Sequence, residues 1–475
     1  MQKKEIIFGS PGCGKTSYLM DKLELELDTF MPQRVAFVSF TKKGASEGLI
    51  RAMKKFNFDE KEFKYFRTLH SICFKELRTS TYDMLSKSDY KRFSKAMNMN
   101  FVGYYSEEFY HNDDQYLYLY FLKQNNYEMY KKIRDSLDID IRKLKHVALN
   151  YNRFKEQFRK VDFNDLLVQT LKKNIVLDID VAFIDEAQDM TSLQWKVCDM
   201  LFSKAKKMYI AGDDDQAIYE WTGADVEHFL NIEGKRTILK KTWRLKKNLL
   251  DFSSVIAQMI NTRVEKNVEP VEEGGSINYY NTIEDFKFNK NETYYCLSRN
   301  NVYLKRYMAE LKKQSKVYIH KGKLSVDKDI IFAINNFKAY NSGELVLRDK
   351  VRVESLLRKD IPDKDIKRYR WFEALELKAD DSFYYRKLIE NKVDLSKSNI
   401  TVSTIHGVKG GEADNVILFM DVTRTVFKQL YDIEDSELRC LYVACTRAKS
   451  NLHIIYGESK YSYEGIFKGI QNALQ

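Results

Sequence analysis

The sequence predicts an α/β protein with two parallel-sheet cores, each carrying a helical insertion, and three observations lead there. First, Gly9-Ser10-Pro11-Gly12-Cys13-Gly14-Lys15-Thr16 lies between a short apolar run, residues 5–8, and a periodic stretch, residues 17–27. That succession reads as strand, glycine loop and helix. Second, apolar, β-branched or aromatic runs at 5–8, 35–40, 181–184 and 208–211 have the pattern of buried parallel strands, with helical patterns between most of them. Third, a new alternation begins after Gly234, with strand-like runs at 276–280, 293–297, 316–320, 400–404, 415–419 and 452–456. The first core is therefore expected over residues 1–80 and 161–234, and the second over 235–321 and 397–475. Residues 81–160, crowded with Tyr, Phe, Lys and Asn, read as a helical insertion in the first core. Residues 322–396, basic and mainly helical around Lys367-Arg368-Tyr369-Arg370-Trp371, read as a shorter one in the second.

Composition narrows the class. With 475 residues, 44% hydrophobic and 31% charged, the chain is ordinary for a globular protein of several domains. No stretch approaches the roughly 18 apolar residues of a membrane span, and the start Met1-Gln2-Lys3-Lys4 runs into a strand without a signal-peptide core, so the expected location is cytoplasmic, away from any membrane. The six cysteines form no CxxC pair and the seven histidines are dispersed, so neither disulfides nor a zinc site is expected. A net charge of +11 favours a polyanionic partner, because a basic surface releases condensed counterions when it meets a phosphate backbone.

The chemistry sits in two places on the first core. Gly9, Ser10, Pro11, Gly12, Cys13 and Gly14 let backbone N–H groups curl around anionic oxygens, while Lys15 reaches the β/γ-phosphates and the Thr16 hydroxyl ligates Mg²⁺. Phe183-Ile184-Asp185-Glu186-Ala187-Gln188-Asp189 sets two adjacent carboxylates at the C-terminal end of an apolar strand, where open α/β sheets place their ligands. Asp185 suits the Mg²⁺ shell and Glu186 the polarising of an attacking water. Together these spell nucleotide hydrolysis with ATP and Mg²⁺.

Further runs follow in order along the chain: Phe40-Thr41-Lys42-Lys43-Gly44-Ala45, Arg67-Thr68-Leu69-His70-Ser71, Asp162-Phe163-Asn164-Asp165-Leu166-Leu167, Gly212-Asp213-Asp214-Asp215-Gln216 continuing through Tyr219-Glu220-Trp221-Thr222-Gly223-Ala224, Lys241-Thr242-Trp243-Arg244, Thr404-Ile405-His406 continuing to Glu412, and Glu437-Leu438-Arg439 continuing to Thr446-Arg447. At run after run the chain resembles the UvrD/Rep/PcrA-like branch of superfamily 1 DNA helicases, and the resemblance spans nearly its whole length.

The resemblance implies two RecA-like motor domains, translocation on single-stranded DNA, 3′-to-5′, and separation of strands in tailed duplexes. It implies Lys15, Glu186, Gln216, Arg244 and Arg447 as the catalytic set. Gln216 would sense the γ-phosphate, and Arg244 and Arg447 would come from the second core to stabilise phosphoryl-transfer charge. Ser17, Trp243 and Glu412 would join the glycine loop in holding the nucleotide, Glu412 at the ribose. Phe40, Tyr219 and Trp221 would stack on bases, and Thr68, His70, Thr404 and His406 would contact backbone phosphate. Replication, repair or recombination proteins are the partners it suggests. The chain departs from the family at Ser17 and Thr222, each in place of an arginine, and at Trp243 in place of a tyrosine; Gln2 does not replace the family's adenine-reading glutamine. Two other readings stand beside this one: a translocase that strips proteins from single strands without strong unwinding, and a nucleotide-gated DNA-binding module.

Overall fold

The structure is a computed structural model that describes residues 2–40, 42–57, 59–102, 113–136, 139–362, 365–431 and 434–474. It divides into two compact units, residues 1–273 with 432–443, and residues 274–431 with 444–475.

In the first unit, Lys3–Phe8 (β1), Val35–Ser39 (β2), Tyr65–Arg67 (β3), Val181–Asp185 (β4), Lys207–Gly212 (β5) and Lys235–Ile238 (β6) form one sheet in the order β3-β2-β4-β5-β1-β6. All its pairings are parallel. Strands β2 and β4 are buried along their whole length, which is why they read as unbroken apolar runs; both faces of a parallel sheet are covered. One face packs Ile6, Phe8, Val38 and Ile184 with Ile72 and Trp195, the other Ile7, Phe37 and Phe183 with Leu19 and Leu23. The insertion supplies helices Lys87–Met97, Asp114–Asn125, Tyr127–Ser136 and Ile141–Phe158, which bury their own core around Phe93, Leu119, Val147 and Tyr151.

The second unit holds Ser276–Tyr280 (β7), Tyr294–Ser298 (β8), Ile319–His320 (β9), Lys323–Leu324 (β10), Ile400–Thr404 (β11), Ala413–Phe419 (β12) and Ala448–Ile455 (β13), ordered β10-β9-β11-β8-β12-β13-β7. Only the short β10–β9 edge pairing is antiparallel. Helices Lys328–Ser342, Leu347–Glu354 and Ala379–Glu390 fill most of the stretch between β10 and β11, with apolar clusters around Phe337 and Tyr384. Among the described residues no helix is long and apolar enough to cross a membrane.

One expected boundary moves. Residues 235–273 were expected to open the second core, yet β6 pairs in register with β1, Glu5 with Lys235 through Phe8 with Ile238, and the first unit runs on to Glu273. Strand β6 is a mostly exposed edge, rich in Lys and Arg, so it carries none of the apolar signal that marks the inner strands. Strand β3 also escaped the pattern, being three residues long. Residues 432–443, read as part of the second core, likewise belong to the first unit.

Candidate functional site

Parallel pairing sets the C-terminal ends of β4, β5 and β1 side by side, and the loops leaving them converge there. The glycine loop follows β1 and turns into helix Lys15–Leu27, with Gly12 at φ +76° and Gly14 at φ +78°. Gly12 is required twice over: a Cβ there would lie 2.4 Å from the Arg244 Cβ and 2.9 Å from the Thr242 hydroxyl. The partner of this close approach is the stretch Thr242-Trp243-Arg244. Thr242 Oγ1 donates to the Pro11 carbonyl at 2.7 Å, and the Trp243 N–H donates to the Gly12 carbonyl at 2.9 Å. Arg244 therefore stands in the first unit against the phosphate loop, not in the second core as the resemblance suggested, because β6 carries the chain back alongside β1.

Lys15 folds over its own loop, Nζ donating to the Gly9 carbonyl at 2.7 Å. Thr16 Oγ1 donates to Asp185 Oδ2 at 3.0 Å, so the two expected metal ligands are already neighbours. The Asp185 carboxyl is raised to about 6, first by burial and then by the adjacent Glu186 carboxylate. Buried Asp185 beside half-buried Glu186 and a hydroxyl is short of positive charge, and two protein oxygens suit Mg²⁺, which keeps most of its waters. The residues thus fit a nucleotide-bound Mg²⁺. Among the described residues no cluster of three or more His, Cys, Asp or Glu offers an alternative metal site. Cys13 is buried in the loop, and burial raises its thiol to about 11, which keeps it unreactive.

Glu186 adopts a left-handed backbone, φ +56° and ψ +41°, a strained choice for a non-glycine residue that costs about 1–3 kcal/mol. Its carboxylate accepts from Gln188 Nε2 at 2.6 Å, and Gln188 Oε1 accepts from the Asp213 N–H at 2.9 Å, tying the loop after β4 to the loop after β5. Gln216, buried on that second loop, donates through Nε2 to Asp213 Oδ2 at 2.6 Å. Trp243 leaves its indole 67% exposed beside Gly14, with Lys241 Nζ 4.5 Å over the ring. Ser17 opens the same helix, and Arg51 from helix Lys42–Phe56 brings its guanidinium to 3.5 Å from the Ser17 hydroxyl. An arginine thus arrives through space near the position where the family carries one in sequence.

A second surface lies at the end of β2. Phe40 stacks with Tyr219, ring centroids 5.5 Å apart and planes 28° off parallel. Thr41 lies outside the described residues. Thr68 caps helix Leu69–Glu76, accepting from the Ser71 N–H at 3.3 Å. Burial depresses the His70 imidazole to about 4, so it is neutral at physiological pH and carries one N–H donor. Its ring meets the edge of Phe163 at 5.6 Å.

The family resemblance assigns Phe163 no role. It is 64% exposed at the first turn of helix Phe163–Lys172, held there by a reciprocal cap between Asp162 and Asp165. Both carboxylates also accept from buried Lys155 at 2.7 Å. Burial works against the Lys155 charge, but these carboxylates hold its pKa above the usual lysine range. The signal was an aromatic flanked by acids just before an apolar run, a capping pattern that turns the ring outward. Trp221 differs: it packs against the apolar core of the insertion, where Tyr118 donates to its carbonyl at 2.8 Å.

In the second unit, Thr404 ends β11 and its hydroxyl accepts from the Gly407 N–H at 3.3 Å; His406 opens the turn His406–Val408. Glu412 is exposed. Arg447 is 1% exposed and donates to the Gly411 carbonyl at 3.1 Å and to Thr446 Oγ1 at 3.2 Å.

The sequence matches the model of the UvrD/REP helicase N-terminal domain over residues 1–237 and that of the UvrD-like helicase C-terminal domain over residues 383–459. The chain belongs to the UvrD/Rep helicase family. It is 24% identical over 320 residues to the ATP-dependent DNA helicase PcrA of Staphylococcus epidermidis strain RP62A, and 24% identical over 317 residues to that of Staphylococcus aureus strain Mu50. Each match takes in 59% of this chain and 41% of the relative, so the chain spans about two fifths of the length of the curated relatives it matches. A solved structure titled "The structure of PRRSV helicase" aligns with 96% of this chain and 53% of its own at 11% identity and a TM-score of 0.36, too loose a likeness to carry weight. The helicase N-terminal match ends just before Thr242-Trp243-Arg244, and the C-terminal match contains Thr404, His406, Glu412 and Arg447.

Proposed function

We infer that the protein is an ATP-dependent DNA helicase that moves along single-stranded DNA, 3′-to-5′, and couples ATP hydrolysis to strand separation. One observation carries the reading: Lys15, Thr16, Asp185 and Glu186 converge at the edge of the sheet whose neighbouring strand ends in the Phe40–Tyr219 stack. On this reading, fuel chemistry and base stacking share one sheet.

The glycine loop and Lys15 cradle the phosphates, and Thr16 with Asp185 hold the nucleotide's Mg²⁺. That ion, when bound, neutralises charge on the phosphate oxygens. Glu186 takes the proton of the attacking water, Gln216 orients that water, and Arg244 and Arg447 stabilise the charge that spreads over the transferred group. Trp243 is a platform for the base, with Ser17 and Arg51 beside it, and Glu412 contacts the ribose. Phe40, Tyr219, Trp221 and exposed Phe163 bear on bases, which tolerates any sequence, while Thr68, His70, Thr404 and His406 hold backbone phosphate.

The test is ATP turnover titrated with single-stranded DNA and RNA, followed by unwinding of tailed duplexes of each polarity. Stimulation by DNA with unwinding from a 3′ tail is expected. Turnover indifferent to any strand sinks the reading in favour of a nucleotide-gated binding module, and stimulation without unwinding leaves a single-strand translocase.

A further inference from the structure

Glu220 stands between the two aromatics Tyr219 and Trp221 in sequence, and its carboxylate is taken up by an ion pair with a buried arginine. Its carboxylate accepts from Arg439 Nη1 at 2.9 Å, and Arg439 is 1% exposed on helix Asp435–Cys445. The other arm of the guanidinium, Nη2, donates to the Thr262 carbonyl at 2.7 Å. Asp435, one turn earlier on that helix, accepts from the N–H groups of Asn261 and Thr262, each at 2.9 Å.

The segment 261–266 then continues into the other end of the same aromatic loop. Arg263 grips Asp215 in a two-armed ion pair at 2.8 and 2.9 Å. Lys266, its side chain fully buried, lies 2.7 Å from Asp214, 2.8 Å from Asp215 and 3.4 Å from Asp213. So one strap holds the acidic start of the loop, residues 213–215, and through Arg439 its aromatic end at Glu220. Both are fastened to the helix that leads, eight residues past Arg439, to Arg447. Thr222 spends its hydroxyl locally on the Tyr219 carbonyl at 2.8 Å, leaving Glu220 as the charged anchor.

A fully buried guanidinium tolerates no slack, because separating it from its carboxylate leaves an uncompensated charge. Loop and helix must shift together or not at all. Resting on the helicase reading, we propose that the Glu220–Arg439 ion pair with the strap 261–266 is the linkage through which strand binding at Tyr219 and Trp221 sets the position of helix Asp435–Cys445, making Glu220 and Arg439 positioning residues for strand-stimulated turnover.

The experiment compares Glu220→Gln and Arg439→Lys with the wild-type chain. Both variants are expected to keep basal ATP turnover and single-strand affinity within about twofold, and to lose stimulation by single-stranded DNA about tenfold or more. The paired exchange Glu220→Arg with Arg439→Glu is expected to recover part of that stimulation, which a merely structural role would not give. In the unmodified chain, strand binding is expected to change amide hydrogen exchange across 261–266 and 435–443, a readout that needs no variant to fold. A stimulated wild type with Glu220→Gln equally stimulated, or exchange unmoved in both segments, overturns the linkage alone. A wild type that ignores single strands overturns the helicase reading as well.

Discussion

The two units divide the chemistry unequally. The six-stranded unit gathers a glycine loop, an acid pair, the exposed Trp243 indole and stacked aromatics around one sheet edge. The seven-stranded unit offers the Thr404 and His406 turn, exposed Glu412 and buried Arg447, which donates to the Gly411 carbonyl and to Thr446 Oγ1. Even Arg244, expected on the second side, stands with the first. The contrast teaches that holding a nucleotide and turning it over can be separable properties: the first unit carries the phosphate loop and acid pair, and the proposed function assigns Arg447 of the second unit to the chemical step.

The sharpest way to break that contrast is Arg447→Ala. It should lower turnover by about a factor of 10³ or more while nucleotide affinity stays within a few-fold, as read by steady-state ATPase and equilibrium binding. Turnover that survives would make the second unit a bystander to hydrolysis. Glu186→Gln comes next, with a loss of about 10²- to 10⁴-fold in turnover and intact binding of nucleotide and strand. A variant hydrolysing ATP at the normal rate would remove Glu186 from the mechanism.

Within the first unit, Phe163 and Trp221 offer a smaller contrast. Phe163→Ala should cost about 1–3 kcal/mol of single-strand affinity with an unchanged melting temperature, because the exposed ring has little packing to lose. Trp221→Ala should lower affinity and melting temperature together, since the indole is packed on the insertion core. Equal melting temperatures for the two variants would contradict that packing.

The last contrast is one of pH and concerns Asp185. Its carboxyl is raised from the ordinary range near 4 to about 6, so the native state keeps a proton that the unfolded chain has released. Its contribution to stability therefore falls as pH rises through that window and is flat above it. Relative to wild type, Asp185→Asn should become more stable between about pH 4 and 6, and Mg²⁺ with nucleotide should raise the melting temperature of the wild type alone at pH 8. A stability difference independent of pH would mean that Asp185 is not buried beside the Glu186 carboxylate as described.

What could be read from the chain alone was what is local. The glycine loop and its helix, the paired carboxylates at a strand end and the apolar inner strands all write their chemistry within a few consecutive residues. Strand β6 was not legible, because an exposed edge strand needs no apolar pattern and its partner β1 lies more than two hundred residues away. The outward setting of Phe163 was half legible: the Asp162–Asp165 cap is local, but buried Lys155 reaching both carboxylates is not.

The sequence by itself determined the glycine loop with Lys15 and Thr16 and the paired carboxylates Asp185 and Glu186 at a strand end, since phosphate and metal chemistry demands particular atoms at fixed short spacing. Tertiary structure alone decided that Arg244 backs the phosphate loop, that Trp221 leans on the insertion, and that Lys266 and Arg439 bind the aromatic loop to a distant helix. The reason is burial: a charge far along the chain finds its partner only where folding has removed the water that would otherwise solvate both.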